Sequence, residues 1–556
     1  MAADVSSAPE RRASCVAGGV PDRLSIALAA LVLGALLVQQ VMAIGDFRVD
    51  DAYISFSFSK NFAAGNGLVY SHELRVEGYS NFLWVLLVAL GYLVAPNLDP
   101  YVPGRVFAFA FLALGLFATY RLARLRAPRW AGFLALGLLL ASSDVIRGTL
   151  SALETVPFMS AIALGWYVYL NEPPTARRWS LVAFLPAALL RIDGFVPMLV
   201  LIGFELASAI ASRRFRPAVF ARWLALPVLV WAVYFAWRWW YYGLPLPTTY
   251  YAKSLVTANE ALRGWNQIWS FLRDYGLLAL LPFQLLPLVR GPRRPALALW
   301  AAVLAHLIYA GMVGGDWMPF HRFLMPIFPL GAVLAAWGAA RFIEELRWYR
   351  ADVRAAGVAL GSFAFGWVGV HMHMSSVDSA EEREKLSIAR HVFRHTRDLV
   401  AAMDLARYVV RKPGDELVTD YAGVFAVFTD ATVIDMWGLC NEEIALHGNV
   451  EDINPIYGKT CVSCYARIQP DYFHVGVPLV RRGSEYRSRR QLVNDIFQGN
   501  ALDRVLDFGQ NYAVGRVVEK ASGRTFWFLE RRRPGVSFVE RRPASGIRVD
   551  YPFETG

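Results

Sequence analysis

The chain has 556 residues, 56% of them hydrophobic, and a mean hydropathy of +0.35, whereas soluble proteins are about half apolar even with glycine counted. That composition excludes an ordinary soluble domain and predicts a polytopic membrane protein. The formal net charge of +11 would suit nucleic acid or acidic lipid, but the basic residues recur in clusters between apolar runs. They are therefore read as topology markers, and no nucleic-acid partner is expected.

Residues 1–23 form a basic tail containing Arg11, Arg12 and Arg23, and the uncharged run 24–44 follows it. A cleaved signal peptide has basic residues before an apolar core of about 7 to 15 residues; this run is longer and is expected to stay as the first span. Arginine clusters at 121–129, 177–178, 213–222, 290–294 and 341–354 read as cytoplasmic loops. Between them lie apolar segments at 24–44, 104–120, 130–143, 156–170, 179–190, 194–210, 223–240, 269–289, 296–312, 323–340 and 355–371. About eleven spans result, which places the N-terminus inside and everything after His371 outside. Counting 82–96 as a further span would invert every later loop, so it is read as a juxtamembrane or re-entrant helix within an external loop, 45–103. With that threading the polar motifs DDAYIS, DVIRGTLSALET, RIDG, PLPTTYYAK and GGDWMPFHRF all face the non-cytoplasmic side.

The membrane part, 24–371, gives way to a tail, 372–556, without long apolar runs. Its segment KPGDELVTDYAGVFAVFTDATVIDMWGL reads as strand, helix, strand, and TFWFL at 525–529 as a further strand, which predicts a soluble α/β domain on the non-cytoplasmic side. The charged segment 379–412 is expected to form one or two amphipathic helices joining the two parts. Cys440, Cys461 and Cys464 lie in this exported tail and Cys15 in the cytoplasmic one; a structural bridge between two of the three is expected. His371 and His373 read as interfacial histidines, and Trp437 as a core residue.

Asp50 and Asp51 follow the first span directly. They are interfacial polar residues, or a base whose proton affinity is raised by the neighbouring acid, or ligands of a shared divalent cation such as Mg or Mn. Arg147, Glu154, Arg191 and Asp193 are charges close to membrane depth, where a charge at a helix centre costs about 2.5 to 3.5 kcal/mol; they are either ion pairs or functional groups. Lys253 after Tyr250 and Tyr251, and Arg322 beside His321, place cations next to aromatic residues, a pattern suited to an anionic lipid phosphate. Asp316 after two glycines is a ligand or a turn residue.

Taken together and in order, DDAYISFSFSKNFAAGNGLVYSHELRVEGYSNFLW, SALETVPF, LLRIDGF, WYYGLPLPTTYYAK, GGDWMPFHRFLMPIFP and VIDMWGLCNEEIA resemble the GT-C superfamily of polyprenyl-phosphate-dependent glycosyltransferases. Within it they resemble the group of the mycobacterial arabinofuranosyltransferase B. The resemblance implies a GT-C fold and an inverting transferase in the bacterial cytoplasmic membrane, taking a sugar from a polyprenyl-phosphate donor to a glycan acceptor at the periplasmic face, for cell-envelope biogenesis. It implies arabinofuranose as the sugar, although relatives with similar first-loop acids transfer mannose, aminoarabinose, glucose or whole oligosaccharides. A lipid-linked sugar transporter is the alternative from another class. By the resemblance Asp50 leads as the base, Asp51 positions the hydroxyl or a cation, and Lys253, Arg191, Arg322 and Arg147 meet the donor phosphate. Glu77, Tyr79, Asn81, Glu154, Asp193, Tyr250, Tyr251, Asp316 and His321 are expected to bind substrate.

Overall fold

The computed structural model describes residues 21–71, 74–173, 179–213, 215–253, 258–291, 293–316, 318, 321–377, 405–448, 461–474, 507–521 and 524–554. Cys15 and the joining segment expected at 379–412, except for its last residues from 405, lie outside them. The first helix, α1 (Pro21–Ile44), stops where Gly45 turns with φ +70°. Then come α2 (Asp50–Ala63), α3 (Phe82–Val94), α4 (Tyr101–Arg124), α5 (Arg129–Ala141), α6 (Ser143–Leu150), α7 (Thr155–Asn171) and α8 (Leu185–Leu190). They are followed by α9 (Phe195–Ala211), α10 (Pro217–Tyr242), α11 (Thr248–Lys253), α12 (Ala258–Asp274), α13 (Leu281–Arg290), α14 (Arg293–Met312), α15 (Phe328–Leu346) and α16 (Ala351–Val377), which contains His371 and His373.

Six of these helices are long and apolar enough to cross a membrane, and eight segments qualify if each of two bent pairs counts as one span. The chain is a multi-pass membrane protein. Among the described residues this count does not reach the expected eleven spans, and several segments depart from a straight span. The segment 130–143 is half of a pair, α5 and α6, bent by 64°. The segment 269–289 falls across a second pair bent by 68°, where Gly276 adopts φ +61°. The segment 179–190 contains only a short 3-10 turn and the six-residue α8, and a span needs about 20 residues. At 13 residues, α3 is about 20 Å long and falls short of a hydrocarbon core of about 30 Å.

Coverage differs sharply among the spans. The apolar windows of α1 and α10 are 6% buried and that of α15 is 78% buried, so the first two present their side chains to lipid while α15 lies at the centre. Around α15 pack α4, α5, α7 and α13. Gly338 permits the closest of these approaches, because a Cβ there would overlap the Phe283 carbonyl oxygen of α13.

The C-terminal part is a seven-stranded mixed sheet in the order β2-β1-β3-β5-β4-β7-β6. Its strands are β1 (Glu416–Thr419), β2 (Thr432–Asp435), β3 (Tyr472–His474), β4 (Tyr512–Glu519), β5 (Arg524–Arg531), β6 (Arg541–Ala544) and β7 (Ile547–Asp550). The first three pair in parallel and the rest antiparallel. The crossover between β1 and β2 is α17 (Ala422–Phe428), as a parallel pair requires a connection across the sheet face. Two short helices follow, α18 (Glu442–His447) and α19 (Val462–Ile468). Cys461 and Cys464 form a disulfide, and Cys440 is free and buried.

This domain shares apolar cores with the membrane part. Val424 and Val427 of α17 belong to the same cluster as Tyr53, Phe56 and Trp84. Ile54, Phe58, Tyr70 and Tyr79 of the first loop cluster with Leu417, Phe425, Val433 and Cys440.

Candidate active site

Asp50 and Asp51 open α2 rather than closing α1. In the first turn of a helix two carboxylates favour the macrodipole, which removes the electrostatic objection that a helix C-terminus would raise. The two acids have different surroundings. Asp50 accepts the main-chain N–H of Gly423 at 3.0 Å and of Val424 at 2.8 Å, one on each carboxylate oxygen. Burial pushes its carboxyl up to about 8, while those two N–H groups pull it down and Asp51 pushes it up further. Asp51 has a side chain 27% exposed and lies 3.5 Å from the Arg322 guanidinium. Desolvation raises its proton affinity as well, outweighing the opposing pull of Arg322 and Lys253.

From Asp51 the polar groups extend inward. Arg322 pairs with Asp316 as well as Asp51, and the Arg191 guanidinium lies 4.9 Å from the centroid of the Phe323 ring. Arg191 bridges Glu154 and Asp193, each at 2.9 Å, and Glu154 accepts from Asn81 at 2.8 Å. Asn81 also donates to Ser55 of α2 at 2.9 Å, so this set of acids and cations is tied back to the helix that carries Asp51. Asp316 is positioned by a turn with Gly314 at φ +88° and Gly315 at φ +71°. Gln267 accepts its main-chain N–H at 2.7 Å and donates to its carbonyl at 3.1 Å. The sequence left ligand and turn residue open for Asp316; its carboxylate also accepts from Met318 N at 3.3 Å.

Lys253, the last residue of α11, is exposed and electrostatically coupled to Asp51, Arg322, Asp316 and Arg191. Among the described residues no carboxylate lies within ion-pair distance of it, in contrast to Arg191 and Arg322. Tyr250 is 52% exposed and meets Tyr251 edge to face. The segment before them is fixed by Thr248, whose hydroxyl lies 2.8 Å from the Glu77 carbonyl and 2.6 Å from the Leu439 carbonyl and shares its one proton between them.

Several residues expected to face substrate have other partners. Glu77 forms a buried, bidentate pair with Arg238 of α10, and Tyr79 shares a hydrogen bond of 3.0 Å with Tyr242. Arg147 lies 3.7 Å from Asp144, which also holds His321 Nδ1 at 2.9 Å and the Tyr275 hydroxyl. All eight residues of α6 are buried. Asp144, Tyr275, Arg238, Ser55 and Gln267 were not singled out in the sequence. Only the i, i+3 spacing of Asp144 and Arg147 offered a signal, because the other contacts join segments more than a hundred residues apart or lie on otherwise unremarkable polar positions. Trp437 is half-buried, in a turn whose N–H donates to Asp435 at 3.0 Å.

Among the described residues no group of three or more His, Cys, Asp or Glu side chains converges as a metal site. Asp316 and Glu154, which couple to Asp51, are held by guanidinium groups, and Asp50 is held by main-chain N–H groups.

A membrane bundle with a broken helix carrying charges, two acids opening a further helix and a sheet domain packed on that helix defines a class of fold. It is similar to that of GT-C proteins. Residues 390–525 match a family model described as a domain of unknown function (DUF8728), and no curated protein matches the chain. Among solved structures, ArnT from Cupriavidus metallidurans bound to undecaprenyl phosphate matches with 14% identity and a TM-score of 0.53, over 81% of this chain and 92% of that one. The apo oligosaccharyltransferase of Archaeoglobus fulgidus matches with 10% identity and a TM-score of 0.49, over 92% of this chain and 75% of that one. At such identities the likeness to ArnT bears on the fold.

Proposed function

We propose that the chain is an integral membrane glycosyltransferase that moves a sugar from a polyprenyl-phosphate donor to a glycan hydroxyl, with inversion, at the periplasmic face of a bacterial cytoplasmic membrane. The observation that carries this reading is the pairing of a partly exposed carboxylate, Asp51, with a fixed guanidinium, Arg322, 3.5 Å away, and an exposed lysine, Lys253, beside them. The fold likeness to a protein bound to undecaprenyl phosphate supports the same reading.

In this mechanism the acceptor oxygen attacks the anomeric carbon while Asp51 takes its proton, and the bond from that carbon to the phosphate oxygen breaks. The leaving lipid phosphate gains negative charge. Fixed cations aimed at developing charge lower such a barrier because they need no reorganisation at the moment of reaction. Lys253 supplies that charge most directly, since its ammonium is not already held by a carboxylate among the described residues. Arg322 supplies it from a fork shared with Asp316, and Arg191 acts behind it. Asp51 replaces Asp50 as the base because both oxygens of Asp50 already accept main-chain N–H groups of α17, whereas Asp51 faces the cations, and its raised proton affinity suits a general base, which is most effective near neutral pH.

Arabinofuranose is the proposed sugar on the sequence resemblance alone, with mannose as the alternative; cell-envelope glycan is the proposed acceptor on the same ground. The test is transfer by the purified protein from a panel of synthetic polyprenyl-phosphate sugars to neutral oligosaccharides, followed by linkage analysis. A product of inverted configuration with one donor is expected. No glycosidic bond from any donor, with lipid-linked sugar instead crossing the bilayer of proteoliposomes, would establish the transporter alternative.

A further inference from the structure

The carboxylate next to the proposed base is attached to the other domain. Asp50 opens α2, and its two oxygens accept the N–H groups of Gly423 and Val424 at the start of α17. At the far end of α2, the Lys60 ammonium donates to the Val427 carbonyl at 2.8 Å, near the end of α17. From the loop that follows α2, the Tyr70 hydroxyl donates to the Ala422 carbonyl at 2.7 Å. An acid on first-turn N–H groups and a base on last-turn carbonyls match the two poles of a helix. The backbones approach closely because residue 423 is glycine: a Cβ there would overlap the Asp50 carbonyl oxygen and press on Ile54 N and the Tyr53 side chain. The sequence of α2 is thus matched at both ends, and along its first turns by the close approach at Gly423, to one short helix of the sheet domain.

We infer that Asp50 is a positioning residue: it fixes the sheet domain onto the first turn of α2 and so sets the direction in which the adjacent Asp51 points. The inference rests on the reading of Asp51 as the base. It also gives the segment matched by the family model of unknown function, which contains α17, a task in the reaction: holding the catalytic helix from outside the membrane. The geometry requires two acceptors side by side. A carboxyl group offers an acceptor oxygen to each N–H, whereas an amide offers one oxygen and turns a donor NH2 toward the second.

The full-length protein in detergent tests this through Asp50→Asn, Gly423→Ala, their double variant and Asp51→Asn. Hydrogen exchange of the peptide covering 421–428 reads the docking directly. Leaving a buried N–H without its acceptor changes an equilibrium by about five- to a hundredfold, so Asp50→Asn and Gly423→Ala should each speed exchange there by at least about fivefold, and Asp51→Asn should not. Their effects on transfer should be non-additive, as expected of two sides of one contact. In Asp50→Asn the turnover number should fall with donor KM unchanged, and the residual activity should keep its loss at low pH, because Asp51 still carries the proton. Gly423→Ala alters no titratable group, so the same fall in turnover in that variant separates positioning from proton transfer. Asp50→Asn with wild-type exchange but transfer abolished, or with an acid limb that vanishes from the residual activity, would overturn the inference and make Asp50 the base. Wild-type exchange and wild-type turnover together would overturn it as well. A wild-type chain that transfers no sugar sinks the functional reading instead, and the exchange comparison still decides whether Asp50 holds the domain.

Discussion

The cations around Asp51 are not equivalent, and the difference can be measured. Arg191 is a bridge between Glu154 and Asp193; removing one partner of a buried pair leaves the other charge uncompensated, which costs about 3 to 5 kcal/mol. Arg191→Gln should therefore lower thermal stability in detergent. Lys253→Met leaves no ion pair broken among the described residues, so the protein should stay folded while donor KM or turnover worsens by about ten- to a hundredfold. Equal stability and equal donor dependence in both variants would remove the distinction. Asp51→Asn should lose about 10² to 10⁴ in turnover, and activity within tenfold of wild type at every pH would exclude it as the base. Since its proton affinity is raised, the acid limb of the wild-type profile should lie above the usual carboxylate range. At this scale the sequence named most of the cluster, because charges near membrane depth are rare enough to stand out. The residues alone did not distinguish Asp50 from Asp51, and the resemblance put Asp50 first as the base, the reverse of the roles proposed here. Nothing within α2 says which carboxylate meets Gly423, some 370 residues on.

Elements here are fixed by close backbone approaches as much as by apolar area. Gly338 lies against the Phe283 carbonyl, and a main-chain group cannot rotate aside as a side chain end can. Gly338→Ala should lower the unfolding temperature markedly, on a scale of at least about 1 to 3 kcal/mol for overpacking. Gly203 in α9 has nothing within 4 Å of an added Cβ, so Gly203→Ala should be neutral or slightly stabilising through helix propensity. Equal midpoints for the two variants would contradict the packing described for α13 and α15. Strand and helix periods in 412–439 and at TFWFL were legible because each segment is short, apolar and bounded by turn residues. The bent pairs were not: the breaks fall at Ser142 and near Gly276, while the apolar pattern runs on across them. Polar residues buried in α6 are compatible with either a span or a broken helix until their partners are known.

At the scale of the whole molecule, the sheet domain has to stay folded and docked for the first loop to keep its shape, and one histidine makes that pH-dependent. His474, at the end of β3, is buried and stacked on Phe526 with ring centroids 4.3 Å apart. Its Nδ1 lies 3.0 Å from the Trp527 carbonyl. Burial lowers the imidazole to about 4, with that hydrogen bond opposing the shift. Unfolded, it titrates near 6.5. A histidine depressed in the fold contributes stability that is fully present above its unfolded value and is lost as the pH falls from there through the folded value. Between about pH 6.5 and pH 4 the domain should lose roughly 3 kcal/mol from this group. Asp435, whose carboxyl burial raises to about 6, gains stability over part of the same window, so the histidine's share is read by difference: on going from pH 7 to pH 4, hydrogen exchange in the β3–β5 pair should accelerate less in His474→Phe, which keeps the ring stack, than in the wild type. An unchanged slope in the variant would assign the effect to other groups. Sidedness can be tested alongside, in a Cys15→Ser background, since Cys461 and Cys464 are bonded and Cys440 is buried. Single cysteines at Asn66 and Arg542, both exposed, should react with an impermeant maleimide in intact cells, and ones at Arg126 and Arg213 should not. The reverse pattern would place the arginine-rich turns outside. That would put the site, its lipid phosphate and the pH-sensitive sheet domain together on the cytoplasmic side, because α17 packs directly on the helix that begins with Asp50 and Asp51.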